Sequence, residues 1–357
     1  MTIDLVNKLK DAGHESTVLD IEMGLNQFGL TPDFENIYTV IESLANPIQG
    51  VKNSGPFTAF IAHKFEDFNK IKSQPSFKEI LKDFRRIIFE ECSITSDVIE
   101  AKKTVYDQLF KIVSIKGENR ILSSEMEHNG ETIGVPCSRT IVTTNYDMSV
   151  ELYYANINKM LCDGFSSGAD KYIEEFNPKN YLLDGNTSQW LIKLHGSIWQ
   201  FEYNGKYCKS ISDPENLPHR KLAVKERMMI YPVGEKPILK EPYYTFYKIF
   251  KEQPWMILVT IGHSFRDLPI NIAIQENLLR DSTSRLIIID REPELAIKNL
   301  GLNEKYNDRI ISIKEDFGHK QTFDDLNTAM YSANNKKFET DRFVRDERRE
   351  KSIARKK

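Results

Sequence analysis

From about residue 33 to residue 125 apolar side chains return every three or four positions, as in Ile37, Val40, Ile41 and Leu44, and again in Phe77, Ile80, Leu81, Phe84, Ile87 and Ile88. That spacing lines one face of an α-helix, so the stretch reads as a helical module. Asp33 with Asn36, and Ser76 with Glu79, stand where helix-opening residues belong, the second pair matching a capping box. Phe57, Phe60, Phe65 and Phe68 keep the helical spacing and read as core rather than as a ligand box. After residue 138 the pattern changes to short apolar runs: Thr140 to Thr143, Leu191 to Leu194, Met228 to Tyr231, Trp255 to Ile261, Leu286 to Ile289 and Ile310 to Ile313. Continuous β-branched runs predict strands of a parallel sheet covered on both faces, and the segments between them are long enough for crossover helices. The expected class is α/β.

In such a sheet ligands bind beyond the carboxyl ends of the strands, which directs attention to the residues that follow each run. The first run leads into Thr143, Thr144, Asn145, Tyr146 and Asp147. Asn145 offers an amide donor and an acceptor, suited to a water or a sugar hydroxyl; equally, Asn145 and Asp147 can simply turn the chain and cap the next helix. The second run leads into His195, Gly196 and Ser197, where a histidine serves either as a general base near neutral pH or as a structural residue. Gly262, His263 and Ser264 follow the run from Trp255, a turn that fits phosphate or ribose, or no ligand at all. Asp290 closes the run from Leu286, either to grip a ribose diol or to cap the helix that opens near Pro293.

Charge and cysteine usage narrow the classes. The net charge of −3 hides a basic tail: from Lys336 to Lys357 ten Lys or Arg stand against five Asp or Glu, leaving about −8 on the rest. That tail is a solvated helix or loose end, or a contact for nucleic acid or a partner. Cys92, Cys137, Cys162 and Cys208 form no C-x-x-C pair, which predicts reduced, buried thiols rather than a zinc ribbon or a disulfide framework. With no apolar run of membrane-spanning length and no signal-peptide order at the N-terminus, the expected location is the cytoplasm, away from membranes.

The series TTNYD, KLHGS, IGHSF and IIIDRE, in order on four strand ends, resembles the sirtuin-like NAD-binding superfamily, and its bacterial anti-phage NAD-hydrolase branch more than its protein deacylases. The resemblance covers roughly residues 135 to 320. It implies a Rossmann-like parallel sheet with an inserted helical module: residues 1–32 as a helical remnant of the NAD-binding domain, 33–135 as the insertion, 136–325 as the catalytic domain and 326–357 as a charged, basic C-terminal helix or tail. It also implies catalysis by Asn145 and His195, and NAD contacts from Thr143, Asp147, Gly262, Ser264 and Asp290. In that assignment His195 is the base toward water or a ribose hydroxyl, Asn145 orients water and ribose, and Asp147 supports the loop.

Two departures from the family pattern shape the expectation. Only Cys208 lies between His195 and Ser264, where deacylases of the family usually carry a four-cysteine zinc module, so no zinc and no metal site are expected. The family's opening strand and Gly-Ala-Gly-x-Ser loop are missing before Thr2, and Ala12, Gly13 and His14 do not replace them, so the chain reads as N-terminally short. The implied activity is hydrolysis of NAD, its substrate, to nicotinamide and ADP-ribose in a regulated, NAD-depleting anti-phage effector. Rivals are an NAD-dependent protein deacylase and a non-catalytic NAD or ADP-ribose sensor. By the same analogy the partners are further copies of the chain in a homo-oligomer, an ATPase or translocase, or a phage-derived activator.

Overall fold

A computed structural model describes residues 2–45, 77–113, 124–128, 131–135, 139–167, 173–183, 189–203, 205–210, 227–229, 241–302 and 304–333. Ser76, Phe57, Phe60, Phe65, Phe68, Cys137 and residues 334–357 of the basic tail lie outside them. The chain divides into two compact units, each discontinuous in sequence: one holds residues 1–96, 142–180 and 191–245, the other residues 97–141, 181–190 and 246–357.

In the first unit, helices α1 (Thr2–Leu9), α2 (Glu15–Gln27), α3 (Phe34–Ala45) and α4 (Phe77–Cys92) follow the periodicity of their apolar residues. A π-turn, Lys10–His14, joins α1 to α2, with Gly13 at φ 96°. Asp33 starts α3 as its spacing predicts: its carboxylate accepts the Asn36 backbone N–H at 3.0 Å. Ile37, Ile41, Ile80 and Phe84 are fully buried in one core with Leu9, Val18 and Ile21. Each such side chain contributes roughly 1.5–3 kcal/mol on leaving water. Met148, Ile198 and Met229, which come from the later part of the chain, are buried in the same cluster, with Tyr146 and Trp199 packed against it.

The rest of this unit holds a five-stranded sheet in the order β4 (Phe165–Ser167), β5 (Ile173–Phe176), β8 (Lys206–Ser210), β7 (Gly196–Tyr203), β9 (Arg227–Met229). Its pairings are antiparallel. Met228 and Met229, the described part of the run from Met228 to Tyr231, therefore belong to an antiparallel sheet and not to the expected parallel one; Ile230 and Tyr231 lie outside the described residues. Its pairing with β7 shifts register between Gly196 and Phe201, an irregularity that apolar composition does not announce. Inside the sheet Lys209 sits between Asp163 and Glu174, and both carboxylates hold its ammonium above the usual lysine range against the opposing effect of burial.

The second unit carries the parallel sheet. Strands β10 (Ile257–Ile261), β11 (Arg285–Asp290) and β12 (Ile310–Lys314) pair in that order, in parallel register. Ile287, Ile289 and Ile313 pack with Leu326, Ala329, Met330 and Ala333 of the helix at residues 320–333, and with Leu109 and Ile112 of α5 (Ser96–Ile112). Leu286 and Ile288 are as deeply buried, so β11 is covered on both faces, as its unbroken apolar run predicts. Helices α7 (Leu268–Arg280) and α8 (Pro293–Leu300) connect these strands. One feature differs from the helical expectation: the stretch before residue 136 ends in a hairpin, β1 (Ser124–His128) with β2 (Glu131–Val135). Thr132, Ile133 and Val135 favour that extended form.

Strand β3 (Arg139–Thr143) pairs with β6 (Gln189–Lys193), so the two runs that precede Asn145 and His195 are hydrogen-bonded neighbours. No helix among the described residues is long and apolar enough to cross a membrane.

Candidate functional site

The turn from Thr143 to Met148 is pinned at successive backbone positions. Thr143 Oγ1 accepts the Asn145 backbone N–H at 3.0 Å. The Tyr146 carbonyl accepts both the Ser197 hydroxyl at 3.0 Å and the Ile198 N–H at 3.1 Å. Lys193 Nζ donates to the Asp147 carbonyl and, at 3.0 Å, to the Glu151 carboxylate. Asp147 Oδ1 accepts the Ser149 N–H at 2.8 Å and its hydroxyl, which seats the start of α6 (Ser149–Asn156). Asp147 thus supports the turn and opens the helix, while Asn145 is exposed.

His195 stands two residues past the end of β6. The Leu194 N–H donates to the Thr143 carbonyl at 3.0 Å, joining the two strand ends and fixing the Asn145 turn beside the His195 segment. Gly196 has φ 77°, a left-handed conformation that favours glycine and lets the chain reverse from His195 into β7. His195 is half-buried, neither sealed in the core nor fully in solvent. An exposed amide and a half-buried imidazole on adjoining strand ends are groups that can orient a water or hydroxyl and accept its proton.

Lys193 and Ser197 belong to this site and their roles were not legible in the KLHGS run. Lys193 is 2% exposed and Ser197 0%. A lysine that closes an otherwise buried strand is the signal that could have found the first, since a buried ammonium requires partners. Cys92 of α4 lies close by: burial pushes its thiol up to about 12, with the Asp147 charge adding to the shift and Lys193 opposing it. Cys92, Cys162 and Cys208 are buried thiols that form no disulfide among the described residues, and Cys208 is raised to about 11 chiefly by burial.

In the second unit, Gly262, Ser264 and Asp290 stand at the ends of neighbouring parallel strands. Gly262 has φ 60°, its N–H donates to the Ile289 carbonyl at 2.9 Å, and nothing lies within 4 Å of where a Cβ would stand. The backbone there is open to close approach by a ligand. Ser264 is exposed and its carbonyl accepts Asn299 Nδ2 at 2.9 Å. Phe265, buried at φ 53°, has its carbonyl held by Asn271 Nδ2 at 2.7 Å. Asp290 does not cap α8, whose N-cap is Glu292; its Oδ1 accepts the Glu292 N–H at 2.8 Å in a local turn. Beside it Arg291 pairs with Asp316, which holds the guanidinium above its ordinary range.

Among the described residues no group of three or more His, Cys, Asp or Glu is arranged to hold a metal ion. No curated protein matches the chain. Residues 139–311, which contain both strand-end clusters, match the family model of the SIR2-like domain, a domain type associated with NAD. That stretch is therefore similar to a SIR2-like domain, and the α/β fold with a parallel sheet is consistent with a sirtuin-like family.

Proposed function

We propose that this protein hydrolyses NAD at the nicotinamide–ribose bond, as a regulated NAD-depleting effector in defence against phage. The observation that carries the chemistry is the exposed Asn145 amide on a turn whose backbone is pinned and joined, through Thr143 and Leu194, to the His195 segment. The nicotinamide leaving group is neutral, so the chain's task is to place water and to stabilise positive charge developing on the sugar. Asn145 orients the water, and His195 accepts its proton or that of a ribose hydroxyl. Gly262, with open space at its α-carbon, suits a phosphate, while Ser264, Asp290, Thr143 and Asp147 supply polar positions for the dinucleotide. The defence role follows from the family likeness alone, and so do a homo-oligomer, a translocating ATPase or a phage-derived activator as partners.

The test is chromatography of NAD incubated with the full chain, with and without an acylated peptide. Free nicotinamide with ADP-ribose is expected, and Asn145→Ala or His195→Ala should each lower its formation by about 10²–10⁴-fold while the thermal midpoint holds. Acyl-ADP-ribose would instead identify a deacylase, and unchanged NAD under all activating conditions would leave a sensor.

A further inference from the structure

Lys193 is the most deeply placed charge near the Asn145 turn, and it sits at the end of a strand whose five residues are all buried. Its ammonium donates to the Asp147 carbonyl and to Glu151 Oε1, two points that flank the start of α6. As a device for stability this pair is poor. Two charges leave water, Glu151 is only 13% exposed, and its Oε2 is buried with no hydrogen-bond partner. Apolar residues of similar volume would stabilise such a position as well or better. What an apolar side chain could not do is hold a backbone carbonyl of the turn from the neighbouring strand. With Asn145 N–H on Thr143 and the Tyr146 carbonyl on Ser197 and Ile198, the Lys193 bond completes a run of three residues whose backbones are each fixed.

We propose that Lys193 is a positioning residue, whose grip on the Asp147 carbonyl sets where the Asn145 side chain stands beside His195. The proposal rests on the reading of Asn145 as the group that orients the attacking water. A misplacement of about 1 Å in a catalytic group costs on the order of 10²-fold in rate, so a clamp of this kind is felt in turnover more than in binding.

The test removes the clamp without leaving a lone buried charge. Lys193→Met with Glu151→Leu replaces the pair by apolar volume, and Lys193→Gln with Glu151→Gln is a neutral second form should the first fail to fold. Hydrogen exchange at the Asn145 and Ser149 amides, and kcat and KM for nicotinamide release, are measured against the unaltered chain. Exchange should rise at least about tenfold, and kcat should fall by about 10²-fold with KM for NAD within about threefold. Unchanged exchange, or loosened exchange with unchanged kcat, would overturn the positioning role. If the unaltered chain releases no nicotinamide, the hydrolase reading fails while the exchange data still decide whether Lys193 holds the turn.

Discussion

The turn after β3 is held by donors that reach in from the next strands, a buried ammonium and a hydroxyl among them, whereas the turn after β10 is held by neutral amides from the helices on either side of β11. In the first, Ser197 and Lys193 fix carbonyls so that a side chain, Asn145, is presented. In the second, Asn271 and Asn299 fix the carbonyls of Phe265 and Ser264, leaving exposed backbone at Gly262. The difference matches the tasks proposed for them, since a reacting group needs one orientation and a dinucleotide needs backbone that no side chain obstructs.

Substitutions can break this comparison at either end. Asn271→Ala should be the most damaging of those in the second turn, because both the Phe265 and Asn299 carbonyls lose a donor. A loss of about 2–3 kcal/mol in denaturant unfolding is expected, with weaker NAD binding by calorimetry. Retained stability would mean that water replaces the amide. Gly262→Ala should cost less, about 1–2 kcal/mol, since the added Cβ meets open space and only the φ of 60° resists it. NAD affinity should fall further than stability does, and an unaltered Kd would remove the turn from the binding role.

The smallest effect is expected at the helical core and separates the two turns by pH. His14 Nε2 and Asp83 Oδ2 share a hydrogen bond of 2.9 Å, which chiefly holds the Asp83 carboxyl below its ordinary value of 3.8. The stability this contributes is present above that value and is lost as pH falls through the lower, folded value. Asp83→Asn should therefore flatten the acid limb of stability below about pH 4. In the unaltered chain, hydrogen exchange on acidification should loosen the Asn145 turn, whose Met148 shares that core, before the Gly262 turn.

Much of this arrangement was legible in the residues. Periodicity located α3 and α4, and unbroken apolar runs located β3, β6, β10, β11 and β12 with the candidate residues at their ends. The five-stranded antiparallel sheet was not legible. Its members, such as Ile173–Phe176 and Lys206–Ser210, are short and mix charge with apolar residues, so pairing across the sheet rather than local pattern defines them. The clamp was hidden for another reason. Lys193 looks like a strand residue two positions before a histidine, and only the fold brings it to the Asp147 carbonyl.

Met148, Ile198 and Met229 lie within the matched stretch, yet their burial depends on helices that precede it, just as Ile287 and Ile289 lean on Leu109 before it and Leu326 after it. The region a family model recognises is thus not an autonomous folding unit. Cutting the gene at its borders would strip partners from both cores and leave sticky apolar faces on the excised piece. Evolution of the flanking helices is correspondingly constrained from the inside, by what the recognised region must bury.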